Sequence, residues 1–348
     1  MRRPPGALLL ALGAGAGAIL LLAVLLHLSG YDATLAMRAL WTGSVGSWYA
    51  LGSATLVRAT PLILAGLAVA LAFRAGIWNI GAEGQLVVGA AAAAAAGLAW
   101  TPALGRAVLP VELLLGAVAG AAWAGIAAFL RRRFGVLEVI STIMLNFLAI
   151  HGVSWLVRGP MQEPLRIYPQ TPSLAEAARM PRIIEGARVH WGWVLAMALA
   201  PLLWWAMRAT AAGFRARAAG ASPGAARNAG EIDVARTGMR AFLASGALAG
   251  LAGAIEVTGV TYALYENLSP GYGYTAIAVA LLARLDLLGV ILSGTFFAAL
   301  ESGALAMQRE ASVPAVVVSV VEAVLILAVL VAWRGLPGPR AMPAEEGA

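Results

Sequence analysis

The chain has 348 residues, of which 61% are hydrophobic and only 12% charged, with a mean hydropathy of +0.83. Soluble domains carry about 25% charged residues, so this composition excludes an ordinary soluble protein. Cysteine is absent, which excludes disulfides, thiolate metal sites and cysteine nucleophiles, and the net charge of +7 rests on 24 basic residues that are all arginine.

The apolar runs predict an all-α membrane protein of about ten transmembrane helices, at 7–28, 60–73, 77–99, 110–130, 138–157, 191–208, 239–262, 272–283, 287–306 and 314–333. The longer runs meet the roughly 20 apolar residues needed to cross a bilayer. Lipid cannot satisfy open backbone groups, so such runs must be helical. The first run follows Met1-Arg2-Arg3-Pro4-Pro5, a charged start like that of a signal peptide. Its length and the lack of a clear small-residue cleavage site read as an uncleaved anchor. Residues 31–58 are amphipathic and carry Trp41, Trp48 and Tyr49, which predicts a segment at the membrane interface or one that re-enters. Loop 158–190 holds five prolines and is the one sizeable extramembrane segment on its side. Segment 209–238 is a second polar stretch, and the tail 334–348 is expected to be disordered.

Arginine placement sets the orientation. With the N-terminus inside, fifteen of the 24 arginines face the cytoplasm, including Arg131, Arg132 and Arg133. Both termini are then cytoplasmic. Five of the other nine lie in the long loop 158–190, which weighs little in this bias. The ten runs divide five plus five with opposite starting sides, so an inverted repeat fits the geometry. The third run of each half opens on glycine-rich breaks, 76–85 and 269–274, as broken transporter helices do near a substrate.

Four stretches carry a resemblance. They are Asn79-Ile80-Gly81-Ala82-Glu83-Gly84-Gln85, then Val139-Ile140-Ser141-Thr142-Ile143-Met144-Leu145-Asn146, then residues 225–237, then Ser245-Gly246-Ala247-Leu248-Ala249-Gly250-Leu251-Ala252-Gly253. Over about residues 60–333 the chain resembles the basic-membrane-protein-dependent nucleoside permeases. These lie within the branched-chain amino acid and simple-sugar permease group of ABC importers. One departure is Glu231, an extra acidic residue between Gly230 and Ile232. The resemblance implies a single permease domain, 1–333, in a bacterial inner membrane, forming the path for nucleosides or related small solutes. It also implies three protein partners: a cytoplasmic ABC ATPase, a second permease subunit, identical or homologous, and an extracytoplasmic binding protein or lipoprotein. No nucleic acid is among the expected partners. No cofactor is expected in this chain; ATP and magnesium belong to the ATPase. The absence of lysine agrees, because a nucleotide-binding P-loop needs one.

The motif residues suit chemistry as well as packing. Ionisable and amide groups inside a bilayer are costly and mark functional candidates. Asn79 and Glu83 are four residues apart and share a helix face. With Gln85, that face either meets substrate in a kinked pore-lining element or clamps a neighbouring helix; both readings stand. Ser141, Thr142 and Asn146 form a polar stripe that serves the substrate path or simple helix packing. Tyr272 and Tyr274, with Trp78 and Trp155, are aromatics able to stack on a base. In segment 209–238, Ser222 is a candidate N-cap with Pro223 at the first helical position. The resemblance makes this short helix the coupling helix that receives the ATPase, with Ser222, Pro223, Ala225, Ala226, Arg227, Gly230 and Asp233 in the contact. Glu256 and Glu322 fall within predicted spans and each needs a partner or water; a proton pathway through them would suit the alternative of an ion-coupled secondary transporter working alone. His27, His151 and His190 are far apart in sequence and read as isolated helix-end or interfacial residues, not a metal site.

Overall fold

The computed structural model describes residues 26–228 and 232–314 without interruption, together with residues 17, 20, 22–24, 316, 317, 319, 320 and 323. Most of the first predicted span, most of the last, the tail 334–348, and Gly230, Glu231 and Glu322 lie outside the described residues. Among the described residues the structure is helical, with only isolated β-bridges at Gln170–Tyr265 and Arg182–His190.

The chain forms two compact units, Met1–Ser47 with Leu300–Ala348, and Trp48–Ala299. In the first, helix α1 (Ala33–Ser44) is capped by Asp32, whose carboxylate accepts from the Leu35 N–H at 2.9 Å. Residues 31–58 were expected at the interface. They form α1 and the start of the next helix, and Trp41, Trp48 and Tyr49 are all well exposed. The core of this unit joins Leu22, Leu26, Ala36 and Ala39 to Met307 and Val313.

The second unit opens with a helical turn from Trp48 and a π-helical turn at Leu51–Thr55, then α2 (Leu56–Arg74). Every residue from Ala59 to Ala72 is buried, so α2 is apolar all round because protein surrounds it all round. The chain unwinds over 76–81, five residues into the run predicted as helical, and α3 (Ala82–Leu104) begins there. A 3-10 turn at Gly105–Ala107 reverses the chain into α4 (Val108–Phe134), followed by α5 (Glu138–Arg158). After the 158–190 loop come α6 (Trp191–Ala209), α7 (Ala211–Ala221), α8 (Pro223–Asn228) and α9 (Val234–Glu256). A second π turn, Val257–Thr261, ends α9; then α10 (Tyr272–Leu282) and α11 (Gly289–Ala311) follow. Among the described residues, six continuous helical stretches are long and apolar enough to cross a membrane, one of them holding both α3 and α4.

The packing is inside-out relative to a soluble bundle. On α4 the buried face is Glu112, Gly116, Gly120 and Ala124, while Leu114, Val118, Ile126 and Phe129 point outward. Small residues allow close backbone approach where lipid supplies no hydrophobic drive. A Cβ at Gly89 of α3 would collide with the Gly250 carbonyl of α9, and one at Gly120 with that of Gly246. Helices α3, α4 and α9 therefore meet backbone to backbone.

Candidate functional site

The break before α3 is the centre of a buried polar network. Asn79 donates to Ser245 Oγ of α9 at 2.8 Å and to Gln85 Oε1 at 2.9 Å. Its Oδ1 accepts from the Gly81 N–H at 2.9 Å and from Gln85 Nε2 at 3.0 Å. Both donors and both acceptor positions of the amide are thus used. Ser245 in turn donates to the Ala68 carbonyl of α2 at 2.6 Å. Asn146 of α5 accepts from the Gly84 N–H at 2.8 Å and donates to the Ile80 carbonyl at 2.9 Å and to the Tyr274 hydroxyl at 3.4 Å. Glu83 accepts from the Gly273 N–H at 2.7 Å, so a carboxylate from the first turn of α3 caps the N-terminal end of α10.

Of the predicted path residues, Asn79, Glu83, Gln85, Asn146 and Tyr274 are thereby brought into one place. Asn79, Glu83, Gln85 and Asn146 are each 2% exposed or less. Their bonds run to protein, which is the clamp geometry. Ser141 and Thr142 are also buried, but donate only to carbonyls one turn back, Thr142 to Glu138 at 2.7 Å and Ser141 to Glu138 at 3.1 Å. Tyr272 is buried at the start of α10 and Tyr274 is half-exposed. Trp78 and Trp155 lie apart from the network on exposed surface, Trp78 tilted against Phe73 at 4.8 Å between centroids.

Segment 209–238 forms a second constellation at the other end of α6 from the 158–190 loop. Thr210 caps α7 by accepting from the Gly213 N–H at 3.0 Å. Ser222 Oγ accepts from the Ala225 N–H at 3.4 Å, and α8 starts at Pro223 as its sequence predicts. Ala225 and Arg227 are exposed and Ala226 is buried. Asp233 caps α9, accepting from the Arg236 N–H at 2.9 Å and pairing with its guanidinium at 3.0 Å. A Cβ at Gly220 of α7 would collide with the Arg74 carbonyl, and Gly76 at φ +78° lies against Gly220. Segment 209–238 thus touches the turn three residues before Asn79.

Loop 158–190 is a cap knitted onto the end of α9. Thr171 donates to the Leu264 carbonyl at 2.8 Å, Leu174 to that of Tyr262 at 2.7 Å and Met180 to that of Thr258 at 2.9 Å, each through its backbone N–H. Arg179 stacks on the Tyr262 ring at 4.8 Å. Glu266 accepts from Ser154 at 2.6 Å and pairs with Arg158 at 2.5 Å. Those bonds, Arg158 first and Ser154 second, hold its carboxyl below the ordinary carboxylate range.

Three features escaped sequence reasoning. Ser245 stands in a motif already singled out, but its partner lies 166 residues away. His190, read as an isolated helix-end residue, is fully buried and caps α6, accepting from the Gly192 N–H at 3.2 Å. Glu112 is fully buried with neither oxygen bonded to a protein group, beneath Gly97 and Leu174. A lone acid in an apolar run was its only signal. Among the described residues no group of three or more metal-binding side chains converges.

Residues 51–330 match the family described as branched-chain amino acid transport system permease component. The chain belongs to this permease family. It is 39% identical to the guanosine ABC transporter permease protein NupP of Bacillus subtilis over 323 residues, covering 91% of this chain and 89% of that protein. It is 40% identical to the glucose ABC transporter permease protein TsgB13 of Haloferax volcanii, covering 78% and 74%. The nucleoside ABC transporter permease protein NupB of Lactococcus lactis is 28% identical, covering 95% and 92%. The permease is therefore a multi-pass membrane protein and a transport subunit of the ABC importer type.

Proposed function

We propose that this permease forms the passage for nucleosides in a bacterial inner membrane, driven by a separate cytoplasmic ATPase that grips segment 209–238. In this reading about ten helices cross the membrane in a five-plus-five arrangement, with both termini inside. A second permease subunit completes the passage, and an external binding protein delivers solute to the side of loop 158–190. ATP and magnesium act on the ATPase.

The observation that carries the mechanism is the contact of Gly220 with the Arg74–Gly76 turn. Closure of the ATPases displaces α7 and α8, and the backbone contact passes the displacement to the turn that leads into Asn79. The network there joins α3, α5, α9 and α10, so a shift of the turn loosens all four. Discontinuous helices near the bilayer midplane are where transporters place substrate, and opening this network would free amide, carboxylate and hydroxyl groups suited to the base edge and ribose of a nucleoside. The guanosine permease NupP and the nucleoside permease NupB align along 91% and 95% of this chain and the glucose permease TsgB13 along 78%. TsgB13 has a similar identity, 40% against 39% for NupP, so length of alignment is what supports the nucleoside reading.

Reconstitution of the permease with its ATPase and binding protein tests this. Labelled guanosine should enter vesicles only with ATP, and unlabelled guanosine should compete where glucose does not. Accumulation driven by a proton or sodium gradient without nucleotide would overturn the mechanism. Competition by glucose alone would replace the substrate class.

A further inference from the structure

We propose that the groove between the arginine-tipped end of α4 and the start of α9 is a binding site for an anionic glycerophospholipid. A cavity of about 420 Å³ is lined by Gly125, Ala128 and Phe129 of α4 and Met239 and Leu243 of α9, with Arg132 and Arg133 at its mouth. A second cavity of about 420 Å³ shares Ala128, Arg132 and Met239 with it, and adds Arg131 and Arg227 together with the carboxylate of Glu138. The two together pair an apolar trough with a cationic rim.

The charge at that rim is largely unmatched. Arg131 is held by Glu138 at 2.5 Å. Among the described residues no carboxylate lies within ion-pair distance of Arg132, Arg133 or Arg227. Arg133 instead lies over the Phe134 ring at 5.5 Å. Seven residues of helix separate Gly125 from Arg132, which is about 10 Å along the axis. That spans the upper part of an acyl chain below its phosphate.

The surroundings favour lipid over an acidic protein surface. Ile126, Phe129 and Phe134 of α4 are exposed, as are Leu137, which precedes α5, and Ile140 on α5. Such a belt suits hydrocarbon and the headgroup boundary, where arginine clusters attract anionic lipid. Gly125 keeps the trough open, since a Cβ there would already stand 3.3 Å from Leu243 Cδ2. A lipid seated here bridges α4, α9 and, through Arg227, α8, so it would tie the coupling segment to the bundle. Only the identity of the leaflet rests on the proposed orientation; the site itself does not.

Native mass spectrometry of the full-length chain in neutral detergent tests the site with phosphatidylglycerol, phosphatidylcholine and glycerol 3-phosphate as probes. Phosphatidylglycerol should be retained over phosphatidylcholine. The double variant R132Q/R133Q should bind it about 30-fold more weakly, as follows from about 1 kcal/mol per arginine at about 1.4 kcal/mol per decade. G125L, which fills the trough, should also lose it. No preference over phosphatidylcholine, or unchanged binding in R132Q/R133Q, overturns the proposal. Displacement by glycerol 3-phosphate at equal concentration overturns it in favour of a simple anion site. Release of lipid on adding the ATPase, with the ATPase then held by the same arginines, overturns it in favour of a protein dock. The arginines are exposed, so their variant decides the matter even where G125L fails to fold. Transport plays no part in the readout, so the outcome is independent of the importer reading.

Discussion

Asn79, in the break before α3, and Ser141, in α5, are both buried polar residues, yet they carry different weight. Asn79 bridges the break before α3 to α9 through Ser245 and braces Gln85 and the Gly81 N–H. Removing it takes the partner from two donors, Gly81 N–H and Gln85 Nε2, and from two acceptors, Gln85 Oε1 and Ser245 Oγ. Interhelical hydrogen bonds in membranes average about 0.6 kcal/mol, and stranded buried groups cost about 1–3 kcal/mol. Asn79→Ala should therefore cost about 1–3 kcal/mol in total. Ser141 donates only to carbonyls of its own helix, at 3.1 and 3.4 Å. Those carbonyls remain helix acceptors without it, so Ser141→Ala should change stability by less than about 0.5 kcal/mol. Thermal unfolding in one detergent compares the two; equal losses would show that Asn79 is not a brace between segments.

At the scale of elements, the cap formed by loop 158–190 is held by polar contacts that acid should weaken. Glu266 and Glu163 both sit below the ordinary carboxylate range. Glu266 is held there by Arg158 and Ser154, Glu163 by the Gln170 amide and the Tyr168 N–H. A depressed carboxyl contributes stability that is complete above its unfolded value and is lost as pH falls through its folded value. Hydrogen exchange over 159–190 and 262–271 should therefore quicken on acidification below about pH 4.3, while that of α2 should hold. Glu266→Gln should flatten much of this response; an unchanged pH profile would remove Glu266 from it. The helices themselves were legible in the sequence, because apolar runs in lipid have one regular conformation open to them. The motif at 79–85 was legible as polar groups with a cost to recover. What hid was long-range. The glycine-rich stretch 76–85 was legible as a break, but glycine is common throughout, so nothing local fixed its unwound extent at 76–81 or the φ of +78° at Gly76. Nothing local could pair Asn79 with Ser245, or lay a proline-rich loop along residues 258–264 just after α9.

For the permease as a whole, the proposed coupling runs through the contact of α7 with the turn before α3. Gly220 meets the Arg74 carbonyl and Gly76 backbone to backbone, so the two move together only while neither bears a side chain there. A methyl group at 220 would strike main-chain atoms, which cannot rotate away as a side-chain tip can. Overpacking of this kind costs about 1–3 kcal/mol, enough to shift α7 without unfolding helices buried elsewhere. Gly220→Ala should therefore leave the ATPase bound and its hydrolysis running. ATP-dependent uptake should fall about tenfold, since about 1.4 kcal/mol of lost coupling is one decade. Gly152→Ala on α5, where an added Cβ meets nothing within 4 Å, should leave both activities intact. Measuring hydrolysis and uptake on the same vesicles separates the outcomes. Loss of both together would mean that α7 merely holds the ATPase. Full uptake in Gly220→Ala would mean that the stroke reaches the Asn79 turn by another route, the ends of α6 and α9 being the remaining connections of the coupling segment to the bundle.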